Sequence, residues 1–422
     1  MQPPSHGPYL PPHRIVHLDM KGAPPSISYL VRVLSMVTRL GGTGVLLEWE
    51  DMFPWSGRLE PVAAKNHYSL EEVTSLLSTC KDLGLEVIPL VQTFGHLEFI
   101  LKHQQFSYLR DVAEMPESIC PCDNDTMGIV REIVDQVMAV HKDAKYLHVG
   151  CDEVFHLGQC SQCHGMGGRS SLFVSHVTKI AEYVTSSYGV KTIIWDDMLR
   201  NLFYDDLAPL SRLVEPMVWV YAEDVYKYVP TYTWDRYSLL FPHIWAASAF
   251  KGAHGEALLV PDIDRHLHNN LAWLDLMGKE QRKLRGGFRG LALTGWQRYD
   301  HFAVLCELLP AAIPSLAVNL LTTSRGFFNQ SLTPQLLSTL GCVHHPGQYN
   351  TGLDLQKDKF LWEKLSRCFF PGAQVFKLTK TVVKTEEEVA EYLEKLETKQ
   401  GWLTPYNFRH NLSSPFRIDQ VM

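Results

Sequence analysis

Two adjacent carboxylic acids, Asp152 and Glu153, are the residues of this chain whose types and spacing most clearly suggest chemistry. They directly follow an apolar segment at residues 146–151. Because side chains alternate between the two faces of a strand, neighbouring acids reach one pocket only where a strand ends. Two acids that share a pocket drive their pKa values apart, which separates a proton donor from an anion. The pair predicts acid–base chemistry, although the same dipeptide also occurs in ordinary solvated loops.

The elements that must position this pair alternate between short apolar segments and amphipathic helical ones, from about residue 14 to about residue 325. The strand candidates, eight in all, span residues 14–20, 44–50, 86–93, 146–151, 191–195, 217–221, 243–249 and 290–295. Several are apolar throughout, which is typical of parallel strands buried on both faces. This pattern predicts an α/β fold, a (β/α)8 TIM barrel. The alternative, an open doubly wound sheet, usually has a glycine-rich turn after its first strand, and this sequence has none there.

The chain divides into three predicted parts. We expect a flexible N-terminus at residues 1–12, a catalytic barrel at residues 13–325, and a mainly helical C-terminal extension at residues 326–422 that packs on or beside the barrel. In the extension, residues 385–399 predict a helix whose Val389, Tyr392, Leu393 and Leu396 would pack on the barrel.

Catalytic groups in such barrels lie at the C-terminal ends of the strands. Those positions here are rich in polar and aromatic side chains: His17, Asp19, Glu48, His96, Trp195, Tyr221, Trp296, Arg298 and Asp300. Their number indicates a site more strongly than any single one does. An alternative use of His17 and Asp19 is a metal-dependent hydrolase, but that chemistry needs several ligands around one ion, and the histidines are scattered along the chain.

The segment from His148 to Glu153 resembles the strand-four motif of the family 20 glycoside hydrolases, the β-N-acetylhexosaminidases. The resemblance covers about residues 10–325, and its further motifs fall in the family's order: His13-Arg14 with Leu18-Asp19, Glu48-Trp49-Glu50, Gly95-His96, Trp195-Asp196 and Gly295-Trp296. It implies a retaining exo-enzyme in which the 2-acetamido oxygen of the substrate, rather than a protein group, attacks the anomeric carbon. A catalytically silent sugar-binding barrel is a further alternative, whose signature would be loss of one of the two acids.

The resemblance also implies roles for individual residues. Glu153 would be the general acid and then the base, and Asp152 would hold and polarise the acetamido N–H. Trp195 and Trp296 would form the walls around the sugar, and Tyr221 would donate to the acetamido carbonyl. The remaining sugar-binding candidates are Asp19, Glu48, His96, Arg298 and Asp300, of which the first three are about equally well explained as structural residues.

Two departures from the family pattern affect the side of the sugar where gluco and galacto epimers differ. The stretch at residues 19–22 contains Lys21 but no Arg, where many members have an Arg. Arg298 stands where the family usually has Glu, and Asp300 follows it. The departures predict tolerance of, or preference for, N-acetylgalactosaminides.

Four cysteines lie in loops that a barrel would make neighbours: Cys120, Cys122, Cys160 and Cys163. Three interpretations stay open for them, namely reduced unlinked thiols, a structural zinc site and a disulfide. Reduced thiols are the simplest, because the chain has nine cysteines, an odd number spread over 422 residues.

The composition of the chain limits which partners and which cellular location we expect. The net charge of −7 gives no support for binding nucleic acid, and no run of about 18 apolar residues suggests a membrane span. The N-terminus lacks the pattern of a secretory signal, so we expect a cytoplasmic protein, with the nucleus as a second compartment. We expect no cofactor and no catalytic metal. The expected partner is a glycan or small molecule with a terminal N-acetylhexosamine, and a homo-oligomer is left open.

Overall fold

The computed structural model describes residues 8–342, 358, 360–396, 404–412 and 414–416. Its strands, in chain order, are β1 (His13–Asp19), β2 (Gly44–Glu48), β3 (Glu86–Leu90), β4 (Arg110–Val112), β5 (Met115–Ile119), β6 (Tyr146–His148), β7 (Lys191–Trp195), β8 (Val214–Trp219), β9 (Ile244–Lys251) and β10 (Phe288–Gly295). All except β4 and β5 form a closed barrel of parallel strands. The barrel closes because β1 pairs with both β2 and β10. The predicted (β/α)8 barrel is confirmed.

The helices surround this barrel and continue into the C-terminal extension. They are α1 (Ile27–Arg39), α2 (Leu70–Asp82), α3 (Glu98–Leu101), α4 (Thr126–Val140), α5 (Arg169–Tyr188), α6 (Tyr204–Leu207), α7 (Thr231–Leu240), α8 (Ile263–Glu280), α9 (Leu309–Arg325), α10 (Thr333–Thr339), α11 (Leu361–Leu365), α12 (Ala373–Glu394) and α13 (Pro405–Arg409). Local chemistry sets some of these boundaries. At the start of α2, for example, the Ser69 hydroxyl accepts from the Glu72 N–H and the Glu72 carboxylate accepts from the Ser69 N–H, which is a capping box.

Apolar side chains fill the molecule in two layers. The larger layer lies between the strands and the helices, where for example Val45 and Leu47 of β2 are fully buried. The smaller layer, which we call the lumen core, fills the inside of the barrel with Ile15, Leu46, Ile88, Leu90, Tyr146, Ile193, Trp195, Met217, Trp245, Ala247 and Ala292. The barrel is therefore a packed scaffold that holds its strand ends in fixed positions.

The strand that precedes the acid pair ends earlier than the sequence predicts. β6 stops at His148 rather than at residue 151. The reason is the backbone, because Gly150, Cys151 and Glu153 have φ values of 67°, 71° and 47°, and this left-handed region is incompatible with a strand. The sequence also did not predict the antiparallel hairpin of β4 and β5, which lies between β3 and β6.

The described part of the C-terminal extension is helical. α12 begins at Ala373, well before the predicted start at residue 385, and it packs on α9. Phe376 is buried in this helix, and Leu396, just after its end, is buried as well. Val389, Tyr392 and Leu393 are 51%, 42% and 47% exposed, so the prediction that they pack on the barrel is wrong for these three residues. Residues 1–7 of the predicted flexible N-terminus and residues 397–399 of the predicted helix lie outside the described residues.

The cysteines depart in one place from the expected reduced state. Cys342 and Cys368 form a disulfide between the end of α10 and the segment after α11, and the other seven cysteines are free. Among the helices that the structure describes, none combines the length and the apolar character that crossing a bilayer requires.

Candidate active site

A cleft opens at the C-terminal ends of the barrel strands, above the lumen core. Most of the strands contribute to it, and its wall consists of Lys21, Glu48, Gln92, His96, Asp152, Glu153, Trp195, Trp219, Tyr221, Gly252, Ala253, Trp296, Arg298 and Tyr299. The structure thus brings together eight of the ten residues to which the sequence analysis gives a catalytic or sugar-binding role. Asp19 and Asp300 lie outside this wall.

Two irregular turns bring the acid pair to the cleft. After β6 the backbone at Cys151 and Glu153 is left-handed, and after β3 His96 also has a positive φ of 50°. Such values are uncommon outside glycine and often occur at functional sites. The two turns touch at Gly95, where a Cβ atom would lie 2.2 Å from the carbonyl oxygen of Asp152. Only glycine allows this approach.

Asp152 is the more buried of the two acids, with a side chain 10% exposed. One carboxylate oxygen accepts from the side-chain amide of Gln92 at 3.0 Å. Burial raises the pKa of Asp152, while the positive charge of His96 and the Gln92 hydrogen bond oppose the rise. Gln92 therefore fixes the orientation of a carboxyl group whose second oxygen faces the cleft side, 3.6 Å from the His96 Nε2.

Glu153 is the more accessible acid, with a side chain 38% exposed. Its carboxylate lies 3.2 Å from the Nε2 of His96, and the Nδ1 of the same ring lies 3.6 Å from Glu98. Burial alone would lower the pKa of His96, but Asp152, Glu153 and Glu98 outweigh it and raise that pKa well above its usual range. His96 therefore lies between both acids of the pair, and their negative charge favours its protonated form.

Asp197 is a further acid that supports the pair, and the sequence analysis did not select it. One of its oxygens accepts from the backbone N–H of Glu153 at 2.9 Å, and the other accepts from the indole N–H of Trp219 at 3.0 Å. Burial and the charge of Asp152 raise the pKa of Asp197 to about 7. It joins the turn after β6 to the cleft wall at the end of β8.

Aromatic side chains form the opposite side of the cleft. The rings of Trp195 and Trp296 lie 5.9 Å apart, centroid to centroid. The Trp296 indole N–H donates to the Tyr221 hydroxyl at 2.9 Å, which leaves the Tyr221 proton available for another acceptor. Trp219 packs beside Tyr221, with ring centroids 5.2 Å apart. Flat aromatic walls with a hydroxyl donor between them suit a ligand with apolar faces and a polar edge.

A buried network of charges closes the cleft at β1 and β2. The Lys21 ammonium lies 3.2–3.3 Å from the carboxylates of Asp19, Glu48 and Glu50, and His17 bonds to Glu48 at 2.8 Å. Burial alone would raise the pKa of Glu48, but Lys21 and His17 hold it well below its usual range. Burial raises the pKa of Glu50 well above its usual range. Asp19, which the alternative metal site would use together with His17, is thus paired with an ammonium.

Replacing Lys21 by Met should destabilise the fold by about 3–5 kcal/mol, because it leaves buried carboxylates without their cation. The measurement is the free energy of unfolding from urea denaturation. The matched control is Lys81→Met, because Lys81 forms a single ion pair with Asp143 in which both side chains are more than 70% exposed. That variant should unfold like the wild type. Equal stability of the two variants would contradict the interpretation of the Lys21 network.

The remaining predicted residues have local partners. Arg298 lines the cleft and donates to the Nδ1 of His301 at 2.8 Å. Asp300 instead accepts from the backbone N–H groups of Phe302 and Ala303, at 2.6 and 2.8 Å, and so stabilises a turn. Asp19 accepts from the backbone N–H groups of Lys21 and Gln297. These contacts explain why neither Asp19 nor Asp300 faces the cleft.

Paired acids of unequal exposure, beside aromatic walls at the C-terminal end of a (β/α)8 barrel, are the arrangement of a glycoside hydrolase. Residues 46–229 match the model of glycosyl hydrolase family 20, catalytic domain. The chain is similar to hexosaminidase D of Homo sapiens, with 38% identity over 418 residues, or 97% of this chain and 83% of that protein. It is also similar to hexosaminidase D of Bos taurus, with 42% identity over 337 residues, or 78% of this chain and 96% of that protein.

Among solved structures, the β-N-acetylhexosaminidase from Bacteroides fragilis NCTC 9343 has the same fold, with a TM-score of 0.55 at 14% identity. The alignment covers 76% of this chain and 66% of that one. The chain belongs to glycosyl hydrolase family 20, and it is a β-N-acetylhexosaminidase.

Proposed function

We propose that this enzyme removes terminal β-linked N-acetylgalactosamine or N-acetylglucosamine with retention of configuration, through an oxazolinium intermediate. The observation that carries the proposal is the unequal environment of the acid pair. Asp152 is buried and oriented by Gln92, as a group that must hold an amide requires. Glu153 is accessible from the cleft and lies 3.2 Å from the Nε2 of His96, as suits a group that exchanges protons with substrate and water.

The proposed sequence of events uses these residues in turn. The acetamido carbonyl oxygen attacks the anomeric carbon while Glu153 gives its proton to the glycosidic oxygen, which leaves with the aglycone. Asp152 accepts a hydrogen bond from the acetamido N–H and stabilises the positive charge that forms on the ring. Tyr221 donates to the acetamido oxygen and so aligns it, and Trp195, Trp219 and Trp296 surround the sugar. Glu153 then removes a proton from the water that opens the ring.

The decisive experiment is a comparison of aryl β-glycosides with and without the 2-acetamido group. If the amide is the nucleophile, its removal should lower kcat/KM by about a hundredfold or more, because a positioned intramolecular group is lost. A thiazoline that mimics the oxazoline ring should also inhibit competitively. Equal turnover of both substrates, with no thiazoline inhibition, would refute the mechanism.

Tolerance of the galacto epimer is a second part of the proposal. Lys21 lines the cleft, but three carboxylates surround its ammonium, so this group is not free to be dedicated to one orientation of the 4-hydroxyl. We expect kcat/KM values for the two epimeric aryl substrates within about tenfold of each other, far below the roughly 10⁴-fold that a dedicated hydroxyl site achieves. A gluco preference of that larger size would contradict this part.

Replacing His96 by Asn should move the acidic limb of the kcat/KM profile to higher pH. The charge of His96 opposes the increase that burial causes in the pKa of Asp152. Without that charge, Asp152 becomes protonated at a higher pH. Activity that needs the Asp152 carboxylate should therefore begin to fall at a higher pH when the solution is made more acidic. Asn suits the positive φ of this position. The measurement is a pH profile from about pH 3 to 8, with the exposed His67→Asn as control, and an unchanged limb would contradict the assignment.

The location and assembly of the protein stay predictions. Seven free cysteines favour the cytoplasm, with the nucleus as a second compartment, whereas the disulfide of Cys342 and Cys368 argues against a reducing location. Fractionation of cells that express the full chain would test the location. Light scattering of the purified chain would test whether it forms a homo-oligomer.

A further inference from the structure

Four cysteines outside the catalytic cleft converge from two segments. Cys120 and Cys122 follow β5, and Cys160 and Cys163 lie in the long connection between Glu153 and α5. The Cys120 sulfur lies 3.0 Å from that of Cys160 and 3.7 Å from that of Cys163. These three sulfurs and one carboxylate oxygen of Asp111 all lie within 4.8 Å of one another.

A disulfide does not explain this arrangement. It joins two sulfurs at about 2.05 Å and involves no third, whereas here three sulfurs share one region at 3.0 Å and 3.7 Å from Cys120. Four thiolates around one Zn²⁺, each about 2.3 Å from the ion in a tetrahedron, would lie about 3.8 Å apart. The separation of Cys120 and Cys163 matches that value, whereas Cys120 and Cys160 lie closer together, at 3.0 Å.

Cys122 is a better fourth ligand than Asp111. Cys122 is a free, partly buried thiol that lies two residues after Cys120, at the same end of β5. The Asp111 carboxylate already accepts from the backbone N–H groups of Gln159 and Cys160, at distances from 2.9 to 3.3 Å. Its role is to hold the turn that carries Cys160, as groups just outside a metal site commonly do.

We propose that Cys120, Cys122, Cys160 and Cys163 bind a structural Zn²⁺ ion as a closed site of four thiolates. Two ligands come from a C-x-C pair and two from a C-x-x-C pair, and close cysteine pairs of this kind suit tetrahedral zinc. The site lies apart from the catalytic cleft and leaves no open position for a substrate. It joins the hairpin of β4 and β5 to the connection that begins at Glu153, and so fixes a loop that has little regular structure of its own.

The test is the metal content of the full chain, produced with zinc in the medium and freed of loosely bound metal by gel filtration. By elemental mass spectrometry we expect about one equivalent of zinc in the wild type. Each of the variants Cys160→Ala and Cys163→Ala should contain less than about a tenth of an equivalent. The matched control is Cys80→Ala, which removes a free buried thiol from α2 and should leave zinc unchanged. Asp111→Asn should still bind zinc, whereas Cys122→Ala should bind it less tightly.

A second measurement does not depend on variants. Replacing the zinc of the wild type by Co²⁺ should give the visible and sulfur-to-metal absorption of tetrahedral thiolate coordination. Less than about a tenth of an equivalent of zinc, together with no such cobalt spectrum, overturns the proposal. So does an intact disulfide between Cys120 and Cys160 in peptide mapping. Loss of zinc in Asp111→Asn but not in Cys122→Ala overturns the four-thiolate assignment. None of these outcomes depends on the catalytic proposal.

Discussion

Glu153→Gln should lower kcat for an aryl β-N-acetylhexosaminide by about 10²- to 10⁴-fold, the usual contribution of a general acid and base. Gln has nearly the same shape as Glu, so the contacts around it should persist, including the bond from the Glu153 N–H to Asp197. On the proposed mechanism, the variant loses the proton that the leaving oxygen needs and the base that activates water. The measurement is kcat at saturating substrate, with thermal unfolding as the control for an intact fold.

The leaving group makes this test sharper. A nitrophenolate leaves readily without protonation, whereas an alkyl alcohol or a sugar needs the proton. The loss should therefore be larger for the poorer leaving group, and azide should restore part of the turnover of the nitrophenyl substrate by attacking in place of activated water. A uniform loss across leaving groups, without such rescue, would show that Glu153 is not the acid.

Asp152→Asn should lower kcat by about 10²- to 10³-fold, the usual cost of removing one group that stabilises developing charge. The Gln92 amide donates to this side chain, so the Asn oxygen would turn toward Gln92 and its NH2 group toward the acetamido N–H. Two donors would then face each other where one hydrogen bond is needed.

The distinguishing measurement for Asp152→Asn is the affinity of a thiazoline inhibitor. Affinity should fall together with kcat, because the inhibitor resembles the ring that Asp152 stabilises. The matched control is Asp143→Asn, which removes a surface acid that pairs with Lys81 and should leave both values unchanged. Full thiazoline affinity in Asp152→Asn would remove Asp152 from the proposed role.

The barrel could be predicted from the sequence because short apolar strand segments alternate regularly with amphipathic helical segments. Each of the eight barrel strands overlaps its predicted segment, as β7 does over Lys191–Trp195. The predicted ends of strands and helices were less accurate where the backbone conformation, rather than the apolar pattern of the side chains, decides where an element ends. β6 ends early at a left-handed turn, and apolar residues on α12 stay exposed although their spacing is that of a buried face.

The site could be predicted only in part, for a different reason. Residues directly at strand ends, such as Trp195 and Glu48, face the cleft as expected. Asp19 and Asp300 do not, because nearby backbone N–H groups occupy their oxygens, and the sequence does not show such local competition. Asp197 and Trp219 were not selected, because their importance comes from the hydrogen bond between them. Their placement directly at the ends of β7 and β8 was the available signal.

The lumen core has a consequence for how the enzyme meets its substrates. Side chains such as Met217 and Trp245 fill the barrel beneath the cleft, so no tunnel leads onward from the catalytic acids. On the proposed exo mechanism, a released monosaccharide must therefore leave by the mouth through which the glycan arrived. The freed sugar and the next chain end would then compete for the same opening.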